Sequence, residues 1–168
     1  AEASYDTQAA WARLMLEFGK YPDWLAQFPF PHRLEITYRL RAGEVEVITE
    51  VFNHAAEAMP LAIGYHPYFQ ISGAPRDSWK VTLPAQTHYV LSPQLIPTGE
   101  TKPNAKYGES SLQGAVLDDV FGGLERGADG LATFRVTGGK QSIEVVYGKD
   151  YEIAVVYAPA GQNFICFE

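Results

Sequence analysis

The chain has 168 residues, 46% of them hydrophobic, enough for one domain with a real core and too few for a comfortable second one. Its net charge of -7 sets 20 acidic against 13 basic residues with no run of Lys or Arg, which argues against nucleic acid and against an anionic membrane surface as partners. No segment is apolar over the length that spans a bilayer, and no charged-then-apolar signal segment opens the chain, so a cytoplasmic location is expected.

In chain order, the first patterned segment fits two templates. Trp11, Leu14, Met15 and Phe18 make a helical stripe, whereas Ala12, Leu14, Leu16 and Phe18 alternate as a strand does. The strand is preferred because alternation dominates everything downstream. His32, in Phe28-Pro29-Phe30-Pro31-His32, has aromatic company and helps to pack a loop. Leu34, Ile36, Tyr38 and Leu40 then alternate with Glu35, Thr37, Arg39 and Arg41, and after Ala42-Gly43 the residues Val45, Val47, Thr49 and Val51 do the same. This is a β-hairpin. Asn53-His54-Ala55-Ala56 is turn-like and leaves His54 exposed. Further strands are expected at 61–65, 79–83, 88–91, 131–137, 142–147, 151–158 and 164–167, separated by Gly and Pro turns. Residues 92–114 carry prolines and glycines without periodicity and are expected to form a long functional loop. Many short strands with few helical windows imply an all-β, antiparallel β-sandwich or barrel in a single domain, 1–168.

Chemistry concentrates in Gly64-Tyr65-His66-Pro67-Tyr68-Phe69. Histidine is the side chain best suited to proton transfer near neutral pH, and flat rings are what a sugar packs against. Pro67 fixes its own φ and biases His66 toward extended backbone. The bland alternative is a histidine packed among aromatics. Two more acid–base elements are the pair Asp118-Asp119 and Glu168, which follows Phe164-Ile165-Cys166-Phe167. The single cysteine, Cys166, has no disulfide partner and is expected to be a small buried hydrophobe. No second cysteine and no His pair at helical spacing suggests a metal site.

In order along the chain, Phe28-Pro29-Phe30, the strand 33–40, Asn53 before Met59-Pro60, the His66 hexapeptide, Pro97-Thr98-Gly99-Glu100, Leu117-Asp118-Asp119-Val120-Phe121 and Phe164-Ile165-Cys166-Phe167-Glu168 resemble the aldose 1-epimerase (galactose mutarotase) superfamily, in its hexose-6-phosphate mutarotase-like branch. The resemblance implies an antiparallel β-supersandwich and interconversion of the α and β anomers of a hexose or hexose phosphate, with no cofactor and no metal. It further implies His66 as the acid at the ring oxygen, Glu168 as the base at the C1 hydroxyl, and Asp118 as the residue that orients the sugar. Tyr65, Tyr68 and Phe69 line or support the pocket. Reference pKa values of about 6.5 and about 4.3 let imidazolium and carboxylate coexist near neutrality. Arg33, Arg76 and Lys80 are candidates for a substrate phosphate. Nothing in residues 1–27 matches the family's N-terminal histidine and arginine segment, and the sequence stops at the expected base. The chain therefore corresponds to a C-terminal portion of the family fold, completed by a second chain or a homo-oligomer. A non-catalytic carbohydrate-binding sandwich or an inactive fragment is the alternative.

Overall fold

The N-terminal alternation is a strand. In the computed structural model, which describes residues 1–106 and 108–168, β1 (Glu2–Tyr5), β2 (Ala9–Glu17), β3 (His32–Arg41) and β4 (Glu44–Asn53) form one antiparallel sheet in chain order. The expected hairpin joins β3 to β4. Its turn residues Ala42 and Gly43 both take positive φ, 49° and 81°, the primed-turn geometry that matches strand twist. Register puts Ala12, Tyr38 and Val47 in one row, and Leu14, Ile36 and Thr49 in the next, so one face of the sheet is almost wholly apolar. Between β2 and β3 lie a 3-10 turn (Phe18–Lys20) and a single helical turn, α1 (Pro22–Leu25). His32 stacks on Phe18 at 4.4 Å between ring centroids and its Nδ1 lies 2.8 Å from the Phe30 carbonyl, so it packs this loop as expected. These strands belong to a unit spanning Ala1–Ala62; a second unit spans Ile63–Glu168.

The second unit is a two-sheet sandwich. Its elements are β5 (Tyr68–Phe69), β6 (Lys80–Leu83), β7 (Ala85–Leu91), β8 (Pro97–Pro103), β9 (Gly108–Ser111), β10 (Leu117–Leu124), β11 (Ala132–Gly138), β12 (Gln141–Tyr147), β13 (Ile153–Ala158) and β14 (Ile165–Phe167). One sheet runs β5-β14-β13-β10-β7-β8 and the other β12-β11-β6-β9, with every pairing antiparallel. Alternate residues of each sheet meet in the core. Phe121, Val156 and Phe167 come from the first sheet, and Val81, Leu83 and Phe134 from the second, with Phe134 and Phe167 edge-on at 6.1 Å. Each of these large side chains gains about 1.5–3 kcal/mol by leaving water. Trp79 is fully buried, and a Cβ at Gly138 would come within 2.6 Å of its indole, so only glycine fits there.

Two expectations are corrected. Residues 61–65 form no strand, because Pro60 and Pro67 bracket them with missing N–H donors and no ladder partner lies alongside. The stretch 92–114 is not a structureless loop: it holds edge strands β8 and β9. Every residue of β8 is exposed, so no alternation marks it, and its prolines sit at the strand ends, where an edge tolerates them. No helix among the described residues is long and apolar enough to cross a membrane.

Candidate active site

Register in the six-stranded sheet assembles the site. Tyr68 lies opposite Cys166, Cys166 opposite Tyr157, and Tyr157 opposite Asp118, giving one row across β5, β14, β13 and β10. Because successive side chains in a strand point to opposite faces, this row lies on the face away from the sandwich core. Glu168 follows β14 and continues the same face, its N–H and C=O exchanging hydrogen bonds with Val155 at 2.8 and 3.0 Å. Val155 in turn faces Val120, which faces Tyr89. Gly122 sits on this face too, where the Tyr89 ring comes within 2.7 Å of the place a Cβ would occupy.

His66 enters from the segment before β5. Its Nε2 is 3.3 Å from Glu168 Oε1. The imidazole is stacked on Tyr68, centroids 4.8 Å apart and planes 4° from parallel, and meets Tyr157 edge-on at 6.3 Å. Phe164 braces both tyrosines, at 4.9 and 5.9 Å. Ile63, Gly64, Tyr65, His66, Tyr151, Ile153, Val155 and Glu168 line an open cleft of about 340 Å³. Partial burial pushes the Glu168 carboxyl above its ordinary range; the neighbouring His66 draws it back down, and the charge of Asp118 pushes it further up.

Of the expected site residues, His66, Glu168, Asp118, Tyr65 and Tyr68 come together on this face or at its cleft. Phe69 does not. It pairs with Ile165, and its ring lies 6.3 Å from Phe167 on the core side, so it backs the site and does not line it. Asp119, one residue past Asp118, points to the opposite face and pairs with His88 Nε2 at 2.9 Å and Lys106 Nζ at 3.3 Å. The basic candidates are engaged elsewhere. Arg76 is buried and donates to the carbonyls of Leu112, Ala115 and Ala158 at 2.8, 2.7 and 2.6 Å. Lys80 pairs with Glu109, and Arg33 pairs with Glu35 beneath the Phe52 ring.

Two tyrosines escaped the sequence reading. Tyr157 is on the outward phase of β13 with Ile153 and Val155, and that alternation could have found it. Tyr147 is on the inward phase of β12, almost fully buried, and its hydroxyl donates to the Glu168 carbonyl at 3.2 Å. A buried phenol needs such a partner, but its identity was not legible in the pattern. Burial pushes the Tyr147 phenol up, and the Glu168 charge adds to the effect.

A family model described as aldose 1-epimerase matches residues 12–168. The chain belongs to the aldose 1-epimerase family. Within the family, the galactose mutarotase of Homo sapiens is 33% identical over 85 residues, a stretch that covers 49% of this chain and 24% of the human protein. That of Pongo abelii is 32% identical over 85 residues, with the same coverage of 49% and 24%. A galactose mutarotase-like protein from Clostridium acetobutylicum superposes with a TM-score of 0.80 at 18% identity, covering 99% of this chain and 54% of that one. One from Lactobacillus casei gives 0.70 at 21% identity, covering 99% and 59%. At these identities the structural likeness is one of fold. This member of the family spans a little over half the length of those structures and matches 24% of the curated relatives' length.

Proposed function

We propose that the chain carries the acid–base half-site of an aldose 1-epimerase acting on a neutral hexose. One observation supports this most: His66 Nε2 and Glu168 Oε1 lie 3.3 Å apart at the edge of an open cleft. The hydroxyl and ring oxygens of a hemiacetal share one carbon, so their acid and base must sit close together. Glu168 takes the proton of the C1 hydroxyl while His66, as imidazolium, gives its Nε2 proton to the ring oxygen. The C1–O5 bond breaks, leaving an open-chain aldehyde and a C5 hydroxyl. Rotation about C1–C2 presents the other carbonyl face; the C5 oxygen attacks it, its proton returns to His66, and Glu168 returns its proton to the C1 oxygen. Fixing both groups on one bound sugar keeps the transfers local.

Asp118, one strand beyond Tyr157 in the same row, accepts hydrogen bonds from sugar hydroxyls. Tyr65 and Tyr68 offer ring faces. The neutral substrate is supported by the engagement of Arg76 and Lys80 elsewhere and by a lining that, among the described residues, offers no Lys or Arg. Polarimetry of α-to-β interconversion tests the reading. His66→Ala and Glu168→Gln should each cost about 10²–10⁴-fold in rate. Variants equal to the parent, or a parent equal to buffer, would sink it.

A further inference from the structure

Cys166 takes no part in the proton transfers, yet its sulfur, a His66 ring nitrogen and a Glu168 carboxylate oxygen all lie within 4.8 Å of one another. The arrangement is built by the sheet. Cys166 and Glu168 are two residues apart, so their side chains share a face, and His66 is brought over by the pairing of Tyr68 with Cys166. Sequence spacing gave no hint of it because one member comes from the segment before β5 and the other two from around β14, at the far end of the chain.

We propose that these three side chains form an inhibitory binding site for a thiophilic divalent cation such as Zn²⁺. In tetrahedral zinc sites, metal–ligand lengths of about 2.0–2.3 Å put neighbouring ligand atoms roughly 3.3–3.7 Å apart. The His66–Glu168 contact at 3.3 Å already has that spacing, and the sulfur has at most about 1 Å to close. The chemistry of the donor set is selective. One thiolate, one imidazole and one carboxylate suit Zn²⁺ and Co²⁺, whereas Mg²⁺ and Ca²⁺ prefer all-oxygen cages. Coordination releases the thiol proton to solvent. Three protein ligands leave a fourth position for water on the cleft side. The cation consumes the imidazole lone pair and a carboxylate oxygen together, which removes both proton-transfer groups at once. It is therefore an inhibitor of the site and not its cofactor.

Inhibition rests on the proposed function, but binding does not, and the two are measured separately. The chelator-treated full chain is titrated with Co²⁺. One equivalent should saturate, with a thiolate-to-cobalt charge-transfer absorption that Zn²⁺ abolishes by displacement and Mg²⁺ does not. Cys166→Ser should lose that absorption and bind Zn²⁺ at least about tenfold more weakly, a conservative figure since even residues behind the ligands cost 10–100-fold. His66→Ala should weaken Zn²⁺ to a similar degree while keeping the absorption. Unchanged circular dichroism and melting of each variant guard against a folding artefact, with Cys166→Ala as the second choice at that position. No charge-transfer absorption in the parent, or equal Zn²⁺ affinity in parent and variants, overturns the site. If the parent interconverts anomers, equimolar Zn²⁺ should stop it and chelator restore it, while Cys166→Ser should need at least about tenfold more Zn²⁺. Full activity in the Zn²⁺-saturated parent overturns the inhibitory role. An inactive parent that still binds Co²⁺ through sulfur would sink the proposed function and leave the metal site standing.

Discussion

Arg76→Leu should destabilise the packing of the strands that carry the site. The guanidinium donates to three backbone carbonyls, at Leu112, Ala115 and Ala158. Leu112 and Ala115 lie on the approach to β10 and Ala158 ends β13, so one side chain ties the start of the strand bearing Asp118 to the end of the strand bearing Tyr157. Leucine fills part of the volume and satisfies none of the acceptors. The bonds to Leu112 and Ala158 are buried; the Leu112 carbonyl keeps the Ala115 N–H at 3.0 Å, whereas loss of the buried bond at Ala158 costs about 1–3 kcal/mol. The Ala115 bond is only partly buried, so water replaces the donor there at little cost. Relief of the desolvated cation offsets some of the loss. A net cost of about 2 kcal/mol follows, or roughly 4–8 °C in Tm for a chain of this size. Urea unfolding followed by tryptophan fluorescence should show a lower midpoint with an unchanged slope. Arg76→Lys should recover only a fraction, because a point charge cannot serve three divergent acceptors. A loss below about 1 kcal/mol for Arg76→Leu would refute the assignment of the three bonds as structural ties.

Two further outcomes concern Glu168. In chelator-treated protein, activity should fall as pH drops through a value above the ordinary glutamate range, because burial favours the protonated form and only the carboxylate can accept the C1 proton. Asp118 raises that value, so Asp118→Asn should slide the acid limb of the profile to lower pH whatever it does to the maximal rate; a limb that stays or moves up would contradict the coupling. Tyr147→Phe removes one of two donors to the Glu168 carbonyl, and the N–H of Val155 remains. The expected result is a loss of about 1 kcal/mol in stability and a far smaller loss of rate than Glu168→Gln. Equal losses in the two variants would mean that the phenol takes part in the chemistry directly.

The all-β class and the hairpin from 32 to 53 were legible because period-two alternation and an Ala-Gly turn are local properties. The candidate-site residues His66, Asp118 and Glu168 were picked out as types in an order through resemblance. Their assembly was not. Which of Asp118 and Asp119 faces the cleft depends on the phase of β10 against β13, a long-range register that no local window contains. The same holds for Phe69, whose neighbour Tyr68 shares its motif but not its face. Edge strand β8 escaped because every residue of it is exposed, and β9 because its half-buried positions hold Gly108 and Ser110, which give no apolar alternation. Cys166 was legible as buried and illegible as a neighbour of His66.

The strand beside His66, β5, is two residues long and stands at the edge of its sheet, and β14 next to it has only three. Regions held by few ladder bonds open at a fraction of the global unfolding free energy. The proposed proton donor, His66, therefore hangs on a short, weakly laddered margin of the sandwich, while Asp118 is mounted in its interior. Backbone amides of 68–69 should exchange with solvent by local fraying long before those of β10 and β13. If the proposed function holds, turnover on heating should then decline ahead of the loss of β-sheet signal, since His66 and Glu168 come apart by peeling one short ribbon with the core intact.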